Sequence, residues 1–262
     1  MTIRVGVYGA GGRMGSTVCQ AVIDDPDLEL VAAVDPHYSG LDLRTVIGVD
    51  ADLKFSRDGA AMAAAGVEVA VDFTERSACC ETLGVLAAEG IHAVVGTTGF
   101  TDADMDRFSA EFTRSNCVIA PNFAIGAVLM MHFAALAAPY FESAEIIELH
   151  HEHKVDAPSG TAMLTLQRMA EASGEWTPDP TTSEVVAGAR GGDGPGGIRV
   201  HSLRLKGLVA HQEVLLGATG QTLTIRHDSI DRTSFMPGVL LAVKQVADRP
   251  GVTVGLDALL GL

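Results

Sequence analysis

The run Glu148-Leu149-His150-His151-Glu152-His153-Lys154-Val155-Asp156-Ala157-Pro158-Ser159-Gly160-Thr161-Ala162 sets three imidazoles and an ammonium group just ahead of a Pro-Ser-Gly-Thr turn. Imidazoles exchange protons near neutral pH. A lysine can hold a carboxylate or give up a proton. Ser159 is a good helix cap, and Thr161 to Ala172 reads as helix. The backbone N–H groups of Ser159, Gly160 and Thr161 would then point at a bound carboxylate. Together these groups describe a site for a small, acidic substrate whose reaction consumes a proton.

On a strand, Glu148, His150, Glu152 and Lys154 share one face and His151 and His153 the other. A strand that ends near His151 relaxes that alternation, so that both His150 and His151 can border one pocket. Zinc is a competing reading of so many histidines. Adjacent strand residues diverge, and neither HExxH nor CxxC spacing occurs, so no metal is expected. A solvated polar loop is the plainer alternative. His153 and His201 read as structural, and His132, within an apolar helix, as core or interface.

A second constellation lies near the N-terminus. Gly9-Ala10-Gly11-Gly12-Arg13-Met14-Gly15 sits between an apolar strand, Ile3 to Tyr8, and a helix, Gly12 to Ile23. Gly9 permits a tight turn, a middle glycine lets the backbone approach a pyrophosphate, and Gly15 permits close helix packing. The spacing is GxxGxxG rather than the commoner GxGxxG. Asp35 ends the next strand, where a ribose-binding carboxylate belongs. A carboxylate there repels a 2′-phosphate and favours NADH, a preference that Arg13 and His37 could soften. Gly96-Thr97-Thr98-Gly99 and Ala120-Pro121-Asn122-Phe123 also follow strands, where loops line the ligand crevice of an open parallel sheet. Asp72-Phe73-Thr74 either edges that crevice or is structural.

The elements that must position these residues alternate in the first half. Strands are expected at Leu28–Val34, Val67–Phe73, Ala93–Val95 and Val118–Ala120, with helices at Ser77–Ala88 and Ala103–Arg114. Such βαβ repeats imply a doubly wound parallel sheet. After Asn122 the pattern changes to a long apolar helix, Ile125–Ala138, and a strand, Ala144–Leu149. The glycine-rich stretch Gly188–Gly197 has too little side chain for a core of its own. Three strands follow, Ile198–Arg204, Val209–Leu216 and Gln221–His227, joined by short turns and so expected to be antiparallel. Phe235–Ala247 reads as a last helix. The fold class is α/β, a doubly wound nucleotide domain plus an α+β domain.

Composition sets the outer bounds. At 262 residues and 47 % apolar, the chain can bury a sizeable core. A formal charge of −15 argues against nucleic acid as a partner, so any anionic ligand needs a local cationic cluster. No apolar stretch is long enough to span a bilayer, and no signal-peptide pattern precedes the first strand. Cys19, Cys79, Cys80 and Cys117 are expected to be reduced, mostly buried thiols in a cytoplasmic protein.

With both constellations in view, nearly the whole chain resembles the dihydrodipicolinate reductase family, also called 4-hydroxy-tetrahydrodipicolinate reductase, of diaminopimelate and lysine synthesis. The markers are the Gly9–Gly15 loop, Asp72–Thr74, Gly96–Gly99, Ala120–Phe123 and, most specific, His150 to Ala162. The resemblance implies a Rossmann-type domain, 1–124 with 235–262, and a mostly antiparallel substrate-binding and tetramerisation domain, 125–234. It implies NADH or NADPH as hydride donor, a cyclic dicarboxylate substrate, inhibition by pyridine-2,6-dicarboxylate and a homotetramer. His150 matches the family's proton donor or acceptor and Lys154 its proton donor. His151, Gly160 and Thr161 match its substrate contacts, with Ser159 adjacent. Gly9, Ala10, Gly11, Gly12, Arg13, Met14, Gly96, Thr97, Thr98, Ala120, Pro121, Asn122 and Phe123 match its cofactor contacts. Asp35 stands where some relatives carry an acidic residue followed by arginine. Pro36 follows it here, so a dedicated 2′-phosphate clamp is missing. Ala124 replaces a serine common among relatives. The reaction would require the reduced nicotinamide of one half to reach the ring diacid gripped by the other.

Overall fold

The structure is a computed structural model that describes residues 2–174 and 176–262. The chain falls into two compact units, Met1–Phe123 with Phe235–Leu262, and Ala124–Ser234. In chain order the first unit begins with β1 (Ile3–Tyr8), α1 (Arg13–Asp24), β2 (Leu28–Val34), α2 (Leu43–Ile47), α3 (Ala60–Ala64), β3 (Val69–Asp72), α4 (Arg76–Glu89), β4 (His92–Val95), α5 (Asp102–Glu111) and β5 (Cys117–Ile119). The second unit holds α6 (Ile125–Ala137), β6 (Ser143–His150), α7 (Gly160–Ala172), β7 (Gly192–Asp193), β8 (Arg199–Arg204), β9 (Ala210–Ala218) and β10 (Gln221–Ser229). The chain then returns to the first unit with α8 (Met236–Gln245), β11 (Val252–Val254) and α9 (Asp257–Leu260).

The first unit is an all-parallel sheet of order β11-β5-β4-β3-β1-β2. Consecutive strand residues such as Ala70 and Val71, or Ala93, Val94 and Val95, are fully buried. Since neighbours on a strand point to opposite faces, both faces of the sheet are covered, as the apolar runs predict. The order reverses at β1, which lies between β2 and β3, so the crevice at the C-terminal ends of β1 and β3 is the switch point where such sheets bind ligands. One helix start, that of α5, is locally encoded. In α5 the Thr101 hydroxyl accepts from Asp104 N at 3.3 Å, and Thr101 N donates to the Asp104 carboxylate at 2.8 Å, a complete capping box.

The second unit is a mixed, mostly antiparallel sheet of order β10-β9-β6-β8-β7. Ile146, Val214 and Leu216 are buried on one face, while their neighbours Ile147 and Leu215 are half-buried. A sheet with one covered face shows that alternation. The short links of the last three strands predicted antiparallel strands, and β8, β9 and β10 do alternate in direction. β9 and β10 do form a hairpin, but β8 pairs in parallel with β6, and β6 separates it from β9. The reason lies in the link 205–209, which steps over the end of β6. Leu205 N donates to His150 O at 3.1 Å, and His151 N to Val209 O at 3.4 Å. The glycine-rich stretch supplies an edge strand, β7, against β8.

Candidate active site

The nucleotide loop is shaped by contacts that exclude side chains. Gly9 has φ +64°, the left-handed region that glycine adopts freely. A Cβ on Gly15 would lie 2.1 Å from Gly9 O, so α1 meets the loop backbone directly. Gly12 begins α1 with no side-chain cap and no acidic residue in the first turn. Amide groups and helix dipole there suit a phosphate. Buried Asp35 accepts from Gly11 N at 3.0 Å and from His37 N at 3.1 Å, which ties the end of β2 to the loop. Ala10 is buried, Arg13 is exposed and Met14 is half-buried.

Three further strand ends shape the same crevice. Buried Asp72 accepts from Thr74 N at 2.8 Å and from the Thr82 hydroxyl at 2.6 Å, a structural role in the turn after β3. Gly96 is fixed by aromatic packing, because a Cβ would lie 2.0 Å from the Phe73 ring. That ring meets Phe123 at 5.6 Å between centroids. The buried Thr97 hydroxyl donates to Thr74 O at 2.8 Å, while Thr98 is exposed. Ala120 and Phe123 are buried, Pro121 is exposed and Asn122 is half-buried. The resulting donor set fits a dinucleotide: bare backbone at a helix start, a carboxylate at the end of β2, and short loops after β4 and β5.

In the second unit the strand ends at His150, so the predicted alternation stops there. His150 Nδ1 lies 2.5 Å from Glu148 Oε2. Glu148 is fully buried and takes two bonds from Arg204, at 2.8 and 3.0 Å, and one from Ser159 N at 3.3 Å. Burial raises the Glu148 pKa, but the hydrogen bonds of Arg204, Ser202 and His150 outweigh it and hold the carboxyl below its ordinary value. Burial lowers the His150 pKa, and the nearby cations Lys154 and Arg204 add to this, against the pull of Glu148. The imidazole is therefore easier to deprotonate than a free histidine.

Arg204 also donates to the carbonyls of Lys154 and Asp156, at 3.3 and 2.6 Å. The loop that carries Lys154 is thereby bound to the same guanidinium. Lys154 N closes a turn onto His151 O at 3.1 Å.

The sequence predicted that the amides of Ser159, Gly160 and Thr161 would all face a ligand. Ser159 corrects this, since its N–H already goes to Glu148 and its hydroxyl caps the helix by accepting from Ala162 N at 3.2 Å. Gly160, exposed, and Thr161, half-buried, lie at the helix start between those two amides. The His151 ring is exposed and lies 6.3 Å from that of His153, centroid to centroid. Thus the structure brings together His150, Ser159 and, through Arg204, the Lys154 loop. Sequence reasoning missed Arg204, and it noted Glu148 without giving it a role. A charged residue inside the apolar strand Ile146 to Leu149 signals a buried partner, but nothing in the sequence identifies Arg204.

His201 and His211 have other acids. His201 Nε2 lies 2.8 Å from Glu145, and His211 Nδ1 lies 2.7 Å from Asp228. Among the described residues no group of three or more His, Cys, Asp or Glu could hold a metal ion. No helix among them is long and apolar enough to cross a membrane. Cys19, Cys79 and Cys117 are buried and Cys80 half-buried, all without disulfides.

Comparison with known proteins agrees with both units. The family model "Dihydrodipicolinate reductase, N-terminus" matches residues 3–123, and "Dihydrodipicolinate reductase, C-terminus" matches 126–260. The chain is 53 % identical over 264 residues to the 4-hydroxy-tetrahydrodipicolinate reductase of Mycolicibacterium vanbaalenii, covering 99 % of this chain and 100 % of that one. It is 52 % identical to the enzyme of that name from Nocardia farcinica, covering 100 % of both chains. A solved structure, dipicolinate-bound dihydrodipicolinate reductase from Paenisporosarcina sp. TG-14, superposes with a TM-score of 0.86 at 39 % identity, covering 98 % of this chain and 99 % of that one. The chain belongs to the dihydrodipicolinate reductase family of pyridine-nucleotide-dependent reductases.

Proposed function

We propose that the protein reduces the dihydrodipicolinate ring, formed from 4-hydroxy-tetrahydrodipicolinate by loss of its hydroxyl as water, to tetrahydrodipicolinate, in the cytoplasm, as a step of diaminopimelate and lysine synthesis. One observation carries the reading: in a chain that matches these reductases over their whole length, a half-buried histidine, a lysine loop and a helix start are tied together around a single buried carboxylate. That arrangement can grip an anion and move a proton.

NADH or NADPH would be held by Gly9 to Met14 on the pyrophosphate, Asp35 on the ribose, and the loops Gly96–Thr98 and Ala120–Phe123 beside the nicotinamide. When bound, the reduced nicotinamide supplies a hydride to a conjugated C=C–C=N system. Lys154 and the Gly160–Thr161 helix start bind the substrate carboxylates and stabilise developing negative charge. His151 borders the same pocket. Neutral His150 donates Nδ1–H to Glu148, so Nε2 is the atom that takes or gives the proton. Either protonated His150 or Lys154 completes the reduction by protonating the ring. Holding the reactants in place lowers the entropic barrier.

Asp35 with Pro36 favours NADH over NADPH, since a carboxylate at the ribose repels a 2′-phosphate. His37, whose Nδ1 lies 3.3 Å from Asp35, moderates that charge and leaves room for dual use. The active form is a homotetramer, which light scattering would test. The activity itself is tested by loss of NADH absorbance with substrate made in situ from pyruvate and aspartate semialdehyde. Pyridine-2,6-dicarboxylate is expected to inhibit.

A further inference from the structure

We propose, on the basis of that reading, that Glu148 and Arg204 are the positioning pair of the proton-transfer site, fixing at once the orientation of His150, the start of α7 and the loop of Lys154. A fully buried carboxylate is costly and is tolerated only when paired and hydrogen-bonded. Such a pair is weak evidence for stability, because packed apolar residues of similar size often serve as well. What distinguishes this one is where its bonds go.

Three partners of Glu148 lie in different parts of the candidate site. Oε2 lies 2.5 Å from His150 Nδ1, which assigns the Nδ1 proton and leaves Nε2 toward the substrate. Oε1 receives Ser159 N at 3.3 Å, next to the exposed Gly160. Both oxygens receive Arg204, at 2.8 and 3.0 Å, in the two-pronged geometry that a lysine could not reproduce. Arg204 also donates to the carbonyls of Lys154 and Asp156, and to that of Leu203. The register explains the reach: Arg204 is directly opposite His150 in the β6–β8 pair, and Glu148 is opposite Ser202. All four strand positions face the same side of the sheet. The charged groups facing His150 are Glu148, Lys154 and Arg204. Glu148 is thus the anion that sustains protonation of His150 against burial and two cations.

The test follows His150 directly in full-length protein with 15N-labelled histidine, its signals assigned by their loss in His150→Asn. In the wild type the neutral ring is expected as the Nδ1–H tautomer. In Glu148→Gln the tautomer shifts and the His150 titration midpoint falls by about one pH unit, the loss of a close carboxylate. With it kcat falls about tenfold to hundredfold, the scale seen when an orienting partner of a functional histidine is removed, and KM for NADH does not change. Glu148→Asp keeps the charge and restores part of both. If Glu148→Gln leaves the Arg204 charge unpaired and the protein unfolded, Glu148→Gln with Arg204→Gln removes both charges, and the same tautomer shift is expected. An unchanged tautomer and midpoint in a folded Glu148 variant overturn the proposal. Failure of the wild type to oxidise NADH with the ring substrate would overturn the functional reading instead, and the His150 spectra would still decide the positioning role.

Discussion

The ammonium of Lys154 lies 2.8 Å from each carboxylate oxygen of Asp156. A substrate carboxylate that binds Lys154 must therefore compete with an internal acid two residues away. Asp156 is more than half exposed, and its hydrogen bond with Lys154 holds its carboxyl below the ordinary value. Exposed pairs are worth about 0.2–1 kcal/mol. Asp156→Asn is therefore expected to tighten inhibition by pyridine-2,6-dicarboxylate about twofold to fivefold. The measurement is the inhibition constant at fixed NADH, and a weaker inhibitor in the variant would show that Asp156 helps to hold the ligand.

Gly15 tests the nucleotide loop. An added methyl would lie 2.1 Å from Gly9 O, a backbone atom with no room to give way. Gly15→Ala is expected to destabilise the protein by about 1–3 kcal/mol, as overpacking does, and to weaken NADH binding. Thermal unfolding with and without NADH reads both effects. Wild-type stability and affinity would mean that the loop does not constrain the start of α1.

Asp35 tests cofactor choice. Asp35→Asn keeps an acceptor for Gly11 N, whose bond to the carboxylate is 3.0 Å, but removes the charge. A hydrogen bond to a charged group is worth about 1.5–3 kcal/mol. The ratio of kcat/KM for NADH over NADPH is therefore expected to fall about tenfold or more. An unchanged ratio would place the 2′ position elsewhere.

The first unit was legible in the sequence except for the edge strand β11 and the short helices α2, α3 and α9. Strands buried on both faces read as unbroken apolar runs, and turn chemistry marks their ends. Strand Val69–Asp72, for example, lies inside the expected Val67–Phe73. The second unit was legible as elements but not as a pairing scheme. Nothing local says that the link 205–209 passes over β6, since that depends on hydrogen bonds to His150 and His151. The short helices α2 and α3 were missed because five residues carry too little periodicity. Of the site, the motif residues were visible because their chemistry is clustered in sequence. Arg204 was invisible because it stands 56 residues from Glu148 and joins it only through the β6–β8 register.

The buried acid and histidine also set a pH dependence of stability. The folded-state pKa of His150 is depressed, so the fold favours its neutral form. That contribution is complete above the ordinary histidine value of about 6.5 and is lost as pH falls below it. The pKa of Glu148 is depressed as well, so its contribution is lost at lower pH, below the ordinary glutamate value of about 4.3. Melting temperature is expected to fall in two stages on acidification. His150→Gln removes its share of the upper stage. An identical pH profile in that variant would mean that His150 titrates normally.

Lys154 gives the most direct test of the central claim, that this site reduces a cyclic diacid with nicotinamide hydride. Consumption of NADH is followed with the ring substrate made in situ by the coupled synthase, in the wild type and in Lys154→Ala. The wild type is expected to turn over and Lys154→Ala to lose about 10²–10⁴-fold in kcat, the contribution of a general acid. A wild type that leaves NADH untouched would contradict it, and a variant within about threefold of wild type, far short of a general acid's share, would contradict the role of Lys154.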